Sequence, residues 1–153
     1  MDSSSFRSDG FYHTGDIVRL REDGYLVVEG RDKDQINRGG EKVSAEEVED
    51  HLITHPSVQD AALVAIPDSF LGEKSCAFIL LAVDTDMESN GTKPLETALR
   101  QHLQTRGLAH YKIPDAFRVL DEFPTTAVGK ISRKALRQAL AKTVTNNASI
   151  GDA

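Results

Sequence analysis

The sequence predicts an α+β fold, and three observations carry that assignment. Amphipathic helical segments alternate with short apolar runs, but without the regular spacing of repeated βαβ units. An Asp-Gly hairpin signal opens the ordered part of the chain. The composition is that of a globular domain: 153 residues, 39% apolar with 11 further glycines, and 27% charged. A single cysteine, Cys76, excludes an internal disulfide framework and a cysteine-rich metal site, and points to a reducing, cytoplasmic setting. A net charge of −6 argues against a general nucleic-acid binder. No apolar run approaches the roughly 18 residues that a membrane-spanning helix needs. The start, Met1-Asp2-Ser3-Ser4-Ser5, is polar and lacks the apolar segment of a secretory leader.

The first element is a hairpin in which Asp16-Ile17-Val18-Arg19-Leu20 and Tyr25-Leu26-Val27-Val28 flank Asp23-Gly24. Gly30 and the charged run Arg31-Asp32-Lys33-Asp34 follow without strand or helical periodicity, which reads as a linker. Ile36 and Val43 then flank a turn at Arg38-Gly39-Gly40-Glu41. Ser44 and Glu47 form a capping box that opens a helix, with Ala45, Val48, Leu52 and Ile53 as its apolar face and Pro56 as its stop. Ala61–Ile66 and Ser75–Val83 read as buried strands joined through Asp68 and Gly72. The stretch from Asp84 to Thr92 is acidic and reads as an exposed loop.

Pro94 starts a second helix with Leu95, Ala98, Leu99 and Leu103 on one face, and Gly107 ends it. Phe117–Leu120 is a short strand. Ser132 caps the last helix, with Ile131 and Leu136 spaced as a hydrophobic staple and Ala135, Leu136, Ala139 and Leu140 on the buried side. Apolar patterning stops after Lys142, so residues 143–153 are expected to form a flexible tail.

Several constellations could carry chemistry. Pro124-Thr125-Thr126-Ala127-Val128-Gly129-Lys130-Ile131 is a small, hydroxyl-rich loop with a lysine before a helix, able to approach a ligand and offer a cation. It is not a P-loop, because Pro124 stands where the first glycine belongs and Ile131 replaces the hydroxyl residue. Taken alone it also fits a surface turn. Gly39-Gly40 suits either close backbone approach or a hairpin turn. Asp16 could accept hydrogen bonds from hydroxyls or simply sit in a turn. His51 and His55 have metal-ligand spacing, but nothing nearby completes a site, so no metal is expected. Lys130, Arg133, Lys134, Arg137 and Lys142 make a basic stretch that suits a solvated face or an acidic partner.

The order and spacing of these segments carry more than each does alone. Tyr12-His13-Thr14-Gly15-Asp16, the run from Gly30 to Val43, and Pro124 to Ile131 resemble the adenylate-forming superfamily of acyl-CoA synthetases, peptide-synthetase adenylation domains and luciferases. The resemblance covers roughly residues 6 to 141. Lys33 to Lys42 and Phe70-Leu71-Gly72-Glu73-Lys74-Ser75-Cys76 are most similar to the stand-alone aryl-acid ligases of siderophore synthesis, which activate 2,3-dihydroxybenzoate or salicylate.

The resemblance implies roles by position. Asp16 would hold the ATP ribose hydroxyls, with Arg31 assisting at ribose and phosphate. Lys33 would be the hinge on which a small lid domain turns. Lys130 would contact the carboxylate substrate and the α-phosphate. After rotation, the Gly39-Gly40 turn would line the pantetheine tunnel. Asn37 stands where many relatives carry lysine, so it receives no catalytic role. The implied cofactors are ATP and Mg2+, whose ligands are not identifiable in this chain.

The implied partners are the protein's own large N-terminal domain, an aryl acid, and an aryl carrier protein with its phosphopantetheine arm; neither nucleic acid nor membrane is among them. The expected division is residues 1–32 as the closing hairpin of the large domain and 33–142 as the mobile domain. The latter has a central antiparallel sheet flanked by helices. No phosphate loop of the superfamily occurs in this sequence, so the chain alone is expected not to adenylate. Two other readings stand beside this one: the corresponding domain of an acyl-CoA or amino-acid activating enzyme, and a non-catalytic module that binds a carrier protein.

Overall fold

The computed structural model describes residues 6–31, 34–83, 85 and 92–148. Two hairpins come first. Strands β1 (Asp16–Leu20) and β2 (Leu26–Arg31) pair antiparallel as a two-stranded sheet. Arg31 thus belongs to a strand, and the expected linker is shorter than its charge run; Asp32 and Lys33 lie outside the described residues. Strands β3 (Gln35–Arg38) and β4 (Glu41–Ser44) form the second hairpin, with Ile36 opposite Val43.

Helix α1 (Ala45–Leu52) opens on Ser44, whose hydroxyl accepts from Glu47 N at 3.4 Å. The expected capping box is half formed, because the Glu47 carboxylate reaches Lys112 at 2.7 Å. Ile53 leaves the apolar face and is exposed, since it follows the last helical turn.

The long strands β5 (Val58–Asp68) and β6 (Gly72–Leu81) pair antiparallel along nearly their whole length. Val83 falls beyond β6 and is exposed, not buried as expected. Helix α2 (Thr92–Thr105) carries the chain back across the sheet and ends at Gly107, φ +80°. There Leu108 N donates to Leu103 O and Gly107 N to Gln104 O, the paired bonds of a Schellman ending, with Leu103 and Leu108 both buried. Most of the expected acidic loop before α2 lies outside the described residues.

This crossover delivers β7 (Ala116–Leu120) to β6 in parallel, Cys76 opposite Ala116 through Leu80 opposite Leu120. The sheet is therefore mixed, correcting the antiparallel expectation. A helix between neighbouring strands returns the chain to the end it started from, and the next strand must run the same way. β6 is the centre: β5 lies on one edge, and the β3 end and β7 share the other.

The strand alternation divides the core. Ala61, Leu63, Ala77 and Ile79 face α1, α2 and the β3–β4 hairpin, where they meet Val48, Leu52, Leu99 and Leu103. Ala62, Val64, Cys76 and Phe78 face the other way, toward Leu136 of helix α3 (Arg133–Ala148). Burial on both faces explains why β5 and β6 read as continuous apolar runs. In α3 the Ser132 hydroxyl accepts from Ala135 N, and Ile131 packs into the same cluster as Leu136, completing the staple. Ala139 is exposed, and the helical backbone continues through Ala148 into the expected tail.

An ion pair crosses the outer edge of β5. Glu49 of α1 accepts from Arg133 Nη1 and Nη2 and from Leu63 N, while Arg133 Nη1 also donates to Leu63 O at 2.7 Å. The pair thereby satisfies an edge strand's backbone and joins helices from opposite faces of the sheet. Burial disfavours the Arg133 cation, but the Glu49 carboxylate outweighs it and raises the guanidinium pKa. Arg133→Ala should lower unfolding stability by about 1–3 kcal/mol, because it leaves Glu49 and Leu63 O short of partners. Urea unfolding measures this as a lower midpoint at constant slope; an unchanged midpoint would show the pair to be dispensable.

Candidate functional site

The residues singled out in the sequence fall in three places. The first is the β1–β2 hairpin, whose five-residue connection is closed by Arg21 N donating to Tyr25 O (2.8 Å) and Gly24 N to Arg21 O (3.0 Å). Its register sets Asp16 directly opposite Arg31. Asp16 begins β1, its N–H donating to the Thr14 hydroxyl at 3.2 Å, and the residue is exposed. Two residues 15 positions apart are therefore brought together by strand pairing, while the Arg31 side chain lies outside the described residues.

The second place is the loop before α3. Thr126 N donates to Lys130 O (2.7 Å), Gly129 N to Thr126 O (2.9 Å) and Ser132 N to Pro124 O (2.7 Å). Lys130 N also donates to the Thr126 hydroxyl at 3.2 Å. Gly129 adopts φ +79°, a conformation that an L side chain strains to reach. Thr126, Gly129 and Pro124 thus have structural duties that the composition of the loop only hinted at. Lys130 sits at the end of this closed turn, exposed, at the mouth of a cleft of about 770 Å3. Asp34, Ser44 and Glu46 line the other side, and Arg133 and Lys134 complete the wall. Among the described residues no carboxylate forms an ion pair with Lys130.

The Gly39-Gly40 turn is the third place. Its φ values are +61° and +91°, the pair of positive angles that a two-residue hairpin turn requires. Gly39 N donates to Leu71 O at 2.8 Å, and a Cβ at Gly39 would come within 3.1 Å of the Leu71 side chain. A Cβ at Gly40 would meet nothing within 4 Å. Gly39 therefore serves the packing of the two hairpin tips, and Gly40 presents backbone to the surroundings. The strands β3 and β4 are four residues long, which separates this turn from the Lys130 cleft at their other end by about 13 Å. Lys33, the expected hinge, lies outside the described residues.

A polar tie that the sequence did not reveal holds the glycine turn. Arg38 Nε and Nη2 donate to both oxygens of Asp115 at 2.7–3.1 Å, and Ser75 N donates to the same carboxylate at 3.0 Å. Burial opposes the Asp115 charge, but the Arg38 guanidinium and the Ser75 N–H prevail and hold its pKa below the usual range. Asp68 caps the neighbouring tip by accepting from Phe70 N and Leu71 N. Lys74, then those two N–H groups, bring its pKa to about 2. A separation of 77 residues between Arg38 and Asp115 leaves no local pattern to detect.

His51 and His55 form no metal site. His51 Nδ1 accepts from Arg106 Nε at 3.0 Å, and His55 Nδ1 accepts from Ser57 N at 3.2 Å. Burial, and then His102, lower the His55 pKa. Among the described residues no group of histidine, cysteine or carboxylate side chains could hold a metal ion.

The family described as the AMP-binding enzyme C-terminal domain matches residues 47–130, more than half of the chain. The chain belongs to this family. It is 57% identical over 141 residues to the 2,3-dihydroxybenzoate-AMP ligase of Bacillus subtilis, covering 92% of this chain and 25% of that protein. It is 52% identical over 139 residues to pyochelin synthase PchD of Pseudomonas aeruginosa, 91% of this chain and 24% of that one. An ATP-bound RpMatB-BxBclM chimera superposes with a TM-score of 0.77 at 31% identity, over 89% of this chain and 26% of its own. The chain thus spans about a quarter of the length of these curated relatives.

The polar ties of the glycine turn set an acid sensitivity. Asp115 and Asp68 have folded pKa values below their unfolded ones, so their contribution is present above the ordinary carboxylate pKa of about 4 and is lost as pH falls below it, for Asp68 through about 2. Stability measured between pH 7 and pH 2 should fall in that window, and Asp115→Asn should flatten part of the fall. An equally steep fall in the variant would remove Asp115 from the account.

Proposed function

We propose that this chain is the C-terminal lid of an aryl-acid adenylating ligase of siderophore biosynthesis. The aryl carboxylate attacks the α-phosphorus of ATP, giving an aryl-adenylate and pyrophosphate. The phosphopantetheine thiol of an aryl carrier protein then attacks the adenylate carbonyl and AMP leaves. The observation that carries the reading is Lys130, an exposed cation without an ion-pair partner among the described residues, on a loop closed by three backbone hydrogen bonds. A cation fixed beforehand stabilises charge that grows on the transferring phosphoryl group without reorganising at the moment of reaction. The names of the relatives support 2,3-dihydroxybenzoate or a related aryl acid as substrate.

In this reading Asp16 accepts from the ribose hydroxyls, as one carboxylate can for two vicinal donors, and Arg31 opposite it assists. Lys33 is the hinge between the large domain, which residues 1–32 complete, and the mobile domain of residues 33–142. Gly39 and Gly40 line the pantetheine tunnel in the second step. Mg2+ would accompany ATP as its counter-ion, held by groups outside this chain. The proposed setting is cytoplasmic. It accords with the buried free thiol of Cys76, and no helix among the described residues is long and apolar enough to cross a membrane.

Joined to its large domain, Lys130→Ala should lower aryl-acid-dependent ATP–pyrophosphate exchange by about 10²–10³-fold while leaving carrier binding intact. Exchange at the unaltered rate would sink the assignment. The chain by itself is expected to support no such exchange. Gly40→Leu should separate the two steps, with adenylate formation retained and thioester formation on the carrier protein lost. Equal loss of both half-reactions would place Gly40 in the fold and not in the tunnel. Thioester formation on free CoA in preference to the carrier would favour the acyl-CoA synthetase alternative.

A further inference from the structure

A second concavity adjoins the Lys130 cleft, sharing Lys134 and Arg137 with it, between the sheet face that packs on α3 and the first turns of that helix. Its volume is about 680 Å3, within the range of small-molecule pockets. The wall is mainly apolar: Ile66 of β5, Cys76 of β6, Ala116 of β7, and Leu140 and Ala141 of α3, while Ala65 borders it with its side chain turned to the other core. The small residues at positions 116 and 141 account for the space. A helix packed on a sheet through larger side chains would fill it.

Beside the neutral Gln138, the charged groups that line it all have one sign. Arg118 of β7 and Lys134 and Arg137 of α3 stand around the apolar wall, and no carboxylate lines the groove. Among the described residues none of the three forms an ion pair, and Arg118 donates only to the carbonyl of its neighbour Phe117. Arg118 is also close enough to Cys76 to work against the burial that raises the thiol to about 11, so its charge is felt at the floor. Three cations gathered around an apolar wall, on a chain of net charge −6, make a local field opposite to that of the whole.

We infer that this groove binds an apolar carboxylic acid, its chain against Ile66, Ala116 and Ala141 and its carboxylate between Arg118 and the Lys134/Arg137 pair. The dimensions favour a small molecule over a protein segment. The stretch of α3 that lines the groove, Lys134 to Ala141, rises only about 11 Å. A docked helix of ordinary length would overrun it. The groove shares Lys134 and Arg137 with the wall of the Lys130 cleft, but the inference is tested by binding to the isolated chain without any activity, so its failure and that of the ligase reading are distinguishable.

The probe is decanoate below its micelle concentration, titrated calorimetrically into the full chain and located by amide chemical shifts. Decanoate should bind one to one and shift Ala65, Cys76, Ala116 and Ala141. Decanol should bind roughly tenfold or more weakly, because it cannot accept charge-assisted bonds. Lys134→Glu with Arg137→Glu, both at exposed positions, should weaken decanoate by a similar factor with an unchanged melting temperature. Ala141→Phe should fill the groove and abolish binding of both ligands. Equal affinity for decanol and decanoate, shifts elsewhere on the chain, or binding only of an acidic amphipathic peptide would each overturn the inference.

Discussion

The fold turns on one ion pair across the edge of β5. A sheet edge leaves backbone N–H and C=O groups facing outward, and here Glu49 and Arg133 take up both groups of Leu63. Because Glu49 belongs to α1 and Arg133 to the first turn of α3, the two helical layers are fastened to each other through the strand between them. Apolar contact alone leaves a helix free to slide by small amounts on a sheet. A forked guanidinium that must meet a carboxylate and a carbonyl together permits one position. Lys130 lies three residues before Arg133, and Ser132 between them caps the helix, so the setting of the Lys130 loop follows from that pair.

A comparable tie governs the other end of the β3–β4 hairpin. Arg38, Asp115 and Ser75 bind the last residue before Gly39-Gly40 to the junction of β6 and β7. Asn37 N donates to Glu73 at 2.8 Å and adds a second fastening to β6. The short hairpin thus carries two chemically distinct ends on one rigid body: a cleft with a lysine, and a bare glycine turn. On the ligase reading that separation has a purpose. A body that presents one end for adenylation and the other for thioester formation must not deform as it turns, and both ends are held by charge-assisted bonds to the central sheet.

Much of this was legible in the sequence because it depends on local chemistry. The Ser44 and Ser132 caps, the Gly107 ending, the Gly39-Gly40 turn and the Ile131–Leu136 staple are each decided within about six residues. The direction of β7 was not legible, since it depends on where a crossover helix packs and not on the strand's own residues. Ile53 and Ala139 matched an apolar periodicity that says which side a residue faces, but not whether anything lies there to cover it. The polar ties were hidden for a different reason. Arg38 and Asp115, or Glu49 and Arg133, are ordinary charged residues that only the folded chain brings together. Arg133 belongs by sequence to a basic stretch that suits a solvated face or an acidic partner, yet its side chain is only 27% exposed.

On the ligase reading, the rigidity of the Lys130 loop bears on how a single lysine would act. A lysine on a flexible segment would have to lose both backbone and side-chain freedom each time it met a reacting phosphoryl group. Here the backbone part of that cost is met during folding: the Thr126–Lys130 and Pro124–Ser132 bonds close the turn, Gly129 supplies the left-handed angle, and the capped helix anchors one end. What remains is the rotamer freedom of one side chain. On that reading its charge would act mainly on the transition state, where negative charge is greatest, with little of the interaction consumed in arranging the loop. On the ligase reading a small, tightly tied domain would therefore be a sound carrier for a catalytic cation, because all of the proposed motion could be confined to the segment that joins it to the large domain.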